Sequence, residues 1–128
     1  MAGSSRYEIG MYQRVSAVGA TPFERISTMY LGALRIGKQG LKAVSAGNPD
    51  YAAEKAQRLA AIIQRLNLSL DHTIAPELCE NLSQLYGHML ARLEEAEVGT
   101  EPEIFEEVLH LLETLWTGFQ EAQGRTQD

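Results

Sequence analysis

Apolar residues recur along this chain at steps of three and four, the period of a helix with one buried face. The clearest run opens T-P-F-E-R-I-S-T-M-Y-L-G-A-L at Thr21. Phe23, Ile26, Tyr30, Ala33, Gly37, Leu41 and Val44 make one continuous stripe, predicting a first helix over 21–46. Thr21 is placed to cap it, since a threonine oxygen can accept from a free amide of the first turn. Pro22 follows at the first helical position, where its missing N–H costs nothing. Glu24, three residues after the cap, completes a capping box.

Gly47 ends that helix. Asn48 then caps a second, with Pro49 at its start and Asp50 near the positive end of the dipole. The second helix is expected over 49–70, with the stripe Ala52, Ala56, Leu59, Ile63, Leu66 and Leu70 and a flanking set Ala60, Ile62 and Leu68. After a loop, Pro76 opens a third helix over 76–97. Its rows are Leu78, Leu82, Leu85, Met89, Leu93 and Ala96, and beside them Cys79, Tyr86 and Leu90. Gly99 stops it, and Thr100 with Glu103 repeats the capping box. A fourth helix over 101–122 carries two rows. One is Ile104, Val108, Leu111, Leu115 and Phe119; the other is Phe105, Leu109, Leu112 and Trp116. No segment reads as a strand.

The four prolines, at 22, 49, 76 and 102, therefore mark the four helix starts. Helices of this length joined by short loops pack antiparallel, which predicts an all-α, up-down four-helix bundle over 21–123. Residues 1–20 hold Tyr7, Ile9, Met11, Tyr12, Val15 and Val18 between and around Gly10 and Gly19. They are expected as a short cap segment packed on the same domain, with 124–128 as a flexible tail. Two features ask for an explanation. Gly32, Gly37 and Gly40 sit inside the first helix, at about 1 kcal/mol each relative to alanine. Close approach of a neighbouring helix or of a bound chain would compensate; local softness is the plainer account. The apolar faces of the second and fourth helices are also wider than one bundle seam requires, which suggests a surface reserved for a partner.

A chain of 128 residues, 45% apolar, is long enough for one domain with a real core. No run approaches the roughly 18 apolar residues of a membrane span. The start M-A-G-S-S-R-Y-E has no signal-like apolar core, and a lone cysteine, Cys79, forms no internal disulfide. Both fit a reducing compartment, and a cytoplasmic location is the expectation. Charge is unevenly spread. Residues 1–65 carry nine Lys/Arg against four Asp/Glu, a net of +5, and residues 66–128 carry two against thirteen, a net of −11. Eight glutamates and no Lys or Arg between Glu94 and Glu113 argue against nucleic acid on that half. The opposed halves either offset each other within the fold or steer a partner.

Catalytic chemistry finds no support. A di-iron bundle needs two Glu-x-x-His pairs, and only Glu107-Val-Leu-His110 is present. It falls with Glu103, Glu106, Glu113 and Thr114 on a face that reads as solvated. His72 and His88 lack metal-ligand spacing. Cys79 has no base or cation beside it and reads as a small core filler. No phosphate loop or nucleotide fingerprint occurs. The expectation is a non-enzyme with no metal and no cofactor.

Taken in order, these stretches resemble the FliS-type flagellar export chaperones over about Met11 to Ala122. M-Y-Q-R-V-S-A-V-G-A-T-P-F-E-R-I looks like that family's N-terminal motif, and M-Y-L-G-A-L like the core of its first helix. I-I-Q-R-L-N-L-S-L-D, E-N-L-S-Q-L-Y-G-H-M-L-A-R-L-E-E-A and Trp116 are similar to the end of its second helix, its third helix and its tryptophan. The loop H-T-I-A-P-E and the acidic start of the fourth helix depart from the family pattern. The resemblance implies a chaperone that binds the disordered C-terminal segment of flagellin in the cytoplasm. It would prevent premature polymerisation and deliver the client to the cytoplasmic domain of the type III export gate. Neither nucleic acid nor membrane insertion is implied, and the chain is expected as a monomer or weak dimer. By helix-in-groove binding, the expected partner-binding residues are Tyr12, Val15, Tyr30, Ile62, Leu68 and Tyr86. A helical regulatory or oligomerising module that binds another helical partner is the alternative.

Overall fold

Thr21 caps the first helix as its chemistry requires. Its Oγ1 accepts from the Glu24 amide at 3.1 Å. The computed structural model describes residues 21–127, and the side chains of 21–124. Four helices fill this span: α1 Pro22–Ser45, α2 Pro49–Leu68, α3 Pro76–Leu93 and α4 Pro102–Gln127, with a short 3₁₀ turn Ala96–Gly99 before the last. Each of the four begins on a proline. No strand occurs among the described residues. The helices form a four-helix bundle, with α1 packed most closely on α2 and α4. The expected N-terminal cap segment, residues 1–20, lies outside the described residues.

The α1–α2 connection shows how local chemistry sets the path. Gly47 has φ +72°, a left-handed conformation that glycine adopts at no steric cost. Its amide donates to the Val44 carbonyl at 3.1 Å, and the Asn48 amide donates to Ala43 at 2.9 Å. That pair of bonds is a Schellman ending. Asn48 then accepts from the Tyr51 amide at 3.3 Å and starts α2. The chain reverses within three residues and the two helices lie side by side.

The core takes the predicted stripe of α2 whole: Ala52, Ala56, Leu59, Ile63, Leu66 and Leu70 are all buried, although α2 itself ends at Leu68. In α1 the buried face drifts from the prediction. Beyond Ala33 it runs through Leu34, Gly37, Gly40 and Ala43, while Leu41 and Val44 are half-buried. The reason lies in α4. A Cβ on Gly40 would fall 2.5 Å from Phe105 Cζ and 2.9 Å from Phe105 Cδ1. One on Gly37 would fall 2.7 Å from Leu109 Cδ2. These two glycines form a notch that receives the second apolar row of α4, so α4 buries both Phe105 and Leu109. Gly32 is different, with Ile62 Cδ1 at an ordinary 3.9 Å.

In α3 the buried face falls between the two predicted rows: Cys79, Leu82, Tyr86, Met89 and Leu93. Leu78 and Ala96, both assigned to the core stripe, are exposed. The helix stops at Leu93 instead of 97, and the 3₁₀ turn follows. That turn buries Val98 and brings Gly99 against α2, where a Cβ would meet the Pro49 carbonyl oxygen at 2.6 Å. Thr100 is not the cap of α4. Its hydroxyl turns back and donates to the Glu97 carbonyl at 3.2 Å. At the far end α4 runs past the expected stop at Ala122, through Gly124 to Gln127.

Candidate functional site

Tyr30 and Tyr86, two of the expected partner-binding residues, are brought together from α1 and α3. Their hydroxyls are 2.5 Å apart, and both side chains are fully buried. Trp116 of α4 stacks on Tyr30 with ring centroids 5.7 Å apart, and on Phe23 at 5.9 Å. Phe119 tilts against Tyr30 at 5.6 Å. The five aromatics link three helices at one level of the bundle. Aromatic contacts of this kind add to area burial, and a buried tyrosine hydroxyl requires a partner. In the described structure Tyr30 and Tyr86 are therefore floor, not rim.

Ile62 and Leu68 are placed differently. Ile62 is half-buried beside Gly32 on the α1–α2 seam. Leu68 is the last residue of α2 and is 74% exposed. Across the connection, on the first turn of α3, Leu78 is 36% exposed. It borders a shallow groove of ≈ 390 Å³ lined also by Ala75, Pro76 and Glu77. The connection itself is pinned: Asp71 Oδ1 accepts from the Thr73 amide at 3.1 Å and from its hydroxyl at 2.5 Å, and the Ile74 amide donates to the Asp71 carbonyl at 3.1 Å. A fixed loop thus holds two solvent-facing leucines on either side of one end of the bundle. Tyr12 and Val15 lie outside the described residues.

Several ionisable groups among the described residues supply structure. Cys79 is buried, its thiol directed at the Asp71 carbonyl at 3.5 Å. Burial first, and then the nearby Asp71 charge, push the thiol above its ordinary range and disfavour the thiolate. Glu107, read from sequence as part of a solvated face, instead ties α4 to α3. Its carboxylate accepts from His88 Nε2 at 2.9 Å and from Arg92 Nε at 2.6 Å. Arg92 also reaches Glu95 at 2.5 Å. These bonds, His88 first and Arg92 second, hold the Glu107 carboxyl below the usual glutamate range. His110, the other half of the Glu-x-x-His pair, is exposed. Among the described residues no group of three or more His, Cys, Asp or Glu is placed to hold a metal ion. No helix of these residues is long and apolar enough to cross a membrane.

The sequence reading passed over two features. One is the His88–Glu107 pair, whose partners are on different helices and share no spacing signal. The other is Leu31, 54% exposed on α1. It lies one residue off a strong stripe, and that offset was its only signal. Compared with family models, the chain matches the one described as "Flagellar protein FliS" over residues 4–126. A comparison with curated proteins finds no match.

Proposed function

The chain belongs to the FliS family of flagellar export chaperones, and on that premise we propose that its client is the C-terminal segment of a flagellin. Binding in the cytoplasm would keep that segment from polymerising until it is delivered to the export gate. The observation that carries the reading is the family match across nearly the whole chain, on a bundle that leaves large apolar side chains in water. Tyr51, Leu68 and Leu78 are exposed beside a core of fully buried side chains. A disordered segment whose own apolar heptads would pair with each other gains by covering such residues, and it orders as it binds. The contact set is proposed as Tyr12, Val15, Ile62 and Leu68, with Tyr30 and Tyr86 reached where the client displaces what covers them.

The test is fluorescence anisotropy with a labelled synthetic flagellin C-terminal peptide. The expected result is saturable binding at micromolar concentration or below. Leu68→Asp and Tyr12→Ala weaken it by roughly tenfold, about 1.4 kcal/mol, with melting temperature little changed. No binding at micromolar concentration overturns the reading and favours a regulatory module for another helical partner.

A further inference from the structure

The outer face of α1 carries a second surface of a different character. Leu31, Leu34, Arg35, Lys38, Gln39 and Lys42 line an open groove of ≈ 440 Å³. Its floor is apolar, with Leu31 exposed and Leu34 buried beneath it. Its walls are cationic. Arg35, Lys38 and Lys42 are exposed, and the ion pairs of the described residues lie elsewhere, at Arg58–Glu54, His88–Glu107 and Arg92 with Glu95 and Glu107. The one acidic residue on α1 is Glu24, in its first turn. Lys38 and Lys42 stand four apart on one helix face, where like charges repel. Three cations gathered around a leucine floor with no ion-pair partner among the described residues leave a deficit that an outside partner can fill.

We propose that this groove docks an acidic amphipathic helix of a protein other than the client, with apolar residues on Leu31 and Leu34 and carboxylates on Arg35, Lys38 and Lys42. The span from Leu31 to Lys42 is about 17 Å, roughly three helical turns. A helix laid along it presents residues at i, i+3, i+4 and i+7 to the groove. A peptide partner fits better than a polyanion. Nucleic acid would use the cations but not the leucine floor, and the chain's net charge of −6 repels an extended polyanion. The site is separate from the exposed leucines at the α2–α3 connection, so it leaves the client reading untouched.

The experiment uses the full chain and a fluorescein-labelled helical peptide of about four turns, with leucines at i, i+3 and i+7 and glutamates between. Saturable binding that weakens steeply with salt is expected. The double variant Lys38→Glu/Lys42→Glu loses at least roughly tenfold in affinity. Leu31→Ala loses severalfold, and both bind the flagellin peptide as the parent does. All three positions are exposed, so circular dichroism should show unchanged melting. If the reversed charges disturb folding, Lys38→Gln/Lys42→Gln takes their place. Unchanged peptide affinity in the double variant overturns the proposal. So does displacement of the peptide by a duplex oligonucleotide or by anionic phosphatidylglycerol vesicles, which would make the groove a general polyanion site. A dimer in sedimentation that the charge reversal dissolves would assign the groove to a second copy of the chain instead.

Discussion

Gly40→Ala tests the central packing claim, that α1 is notched so that α4 can enter. The substitution removes an unfavourable helix residue, and on propensity alone it would stabilise by about 1 kcal/mol. The structure opposes that gain. The new methyl would sit 2.5 Å from Phe105 Cζ and 2.9 Å from Phe105 Cδ1. The Phe105 ring is fully buried and is rigid, so the clash is relieved only by shifting α1 or α4. Overpacking of this kind costs about 1–3 kcal/mol, and for an aromatic ring with no free side the upper half of that range applies. The net expectation is a loss of about 1–2 kcal/mol, which lowers the melting temperature by roughly 3–8 °C for a domain of this size. Gly32→Ala is the internal control. Its nearest neighbour would be Ile62 Cδ1 at 3.9 Å, so the propensity gain survives and stability rises by about 0.5–1 kcal/mol. Thermal and urea melts followed by circular dichroism measure both. A second comparison isolates the ring: in a Phe105→Leu background the cost of Gly40→Ala should shrink, a coupling that a double-mutant cycle reads directly. Gly40→Ala melting at or above the parent would falsify the notch.

Other outcomes follow from the same structure. Tyr86→Phe removes the buried hydroxyl bond to Tyr30 and should lower stability by about 1 kcal/mol in a urea melt. An unchanged midpoint would show that the bond contributes nothing net. Leu66→Asp places a carboxylate at a fully buried position, and the chain should fail to melt cooperatively. The Glu107 carboxyl is lowered by its bonds to His88 and Arg92. Its contribution is therefore present at neutral pH and lost as pH falls below about 4.3 and through the lowered value. The side chain is 39% exposed, so the effect is small. The urea midpoint of Glu107→Gln should vary less with acid than that of the parent, and equal pH dependence would remove Glu107 from the account.

Much of the fold was legible because helix starts are written locally. A proline with a threonine or asparagine before it acts through bonds within one turn, and Thr21 and Asn48 make the bonds their chemistry predicts. Boundaries set by distant contacts were not legible. Glu94–Glu97 is good helix sequence, yet α3 stops at Leu93, because a tight turn there buries Val98 and lays Gly99 against Pro49. The glycine face was legible in part: Gly37 lay on the expected stripe and close approach of a neighbouring helix was one expected account, which Leu109 and Phe105 supply. Beyond Gly37 the larger apolar side chains of Leu41 and Val44 outweighed Gly40 and Ala43, although the small pair is the buried one. The apparent surplus of apolar surface on α4 had the same origin, since Phe105 and Leu109 fill space that only the glycines leave open. Of the expected contact residues, Ile62 and Leu68 sit on or near the surface, whereas Tyr30 and Tyr86 are interior. Nothing in residue type separates those two fates.

The notch also fixes an order in time. A ribosome releases α1 well before Phe105 of α4, so the Gly37–Gly40 hollow stays empty while α2 and α3 are being made. The α1–α2 hairpin can zip up early on its Schellman turn, but the seam cannot close until α4 has been translated. A nascent chain stalled before Phe105 would carry an open seam along α1, which has waited through two further helices for its counterpart.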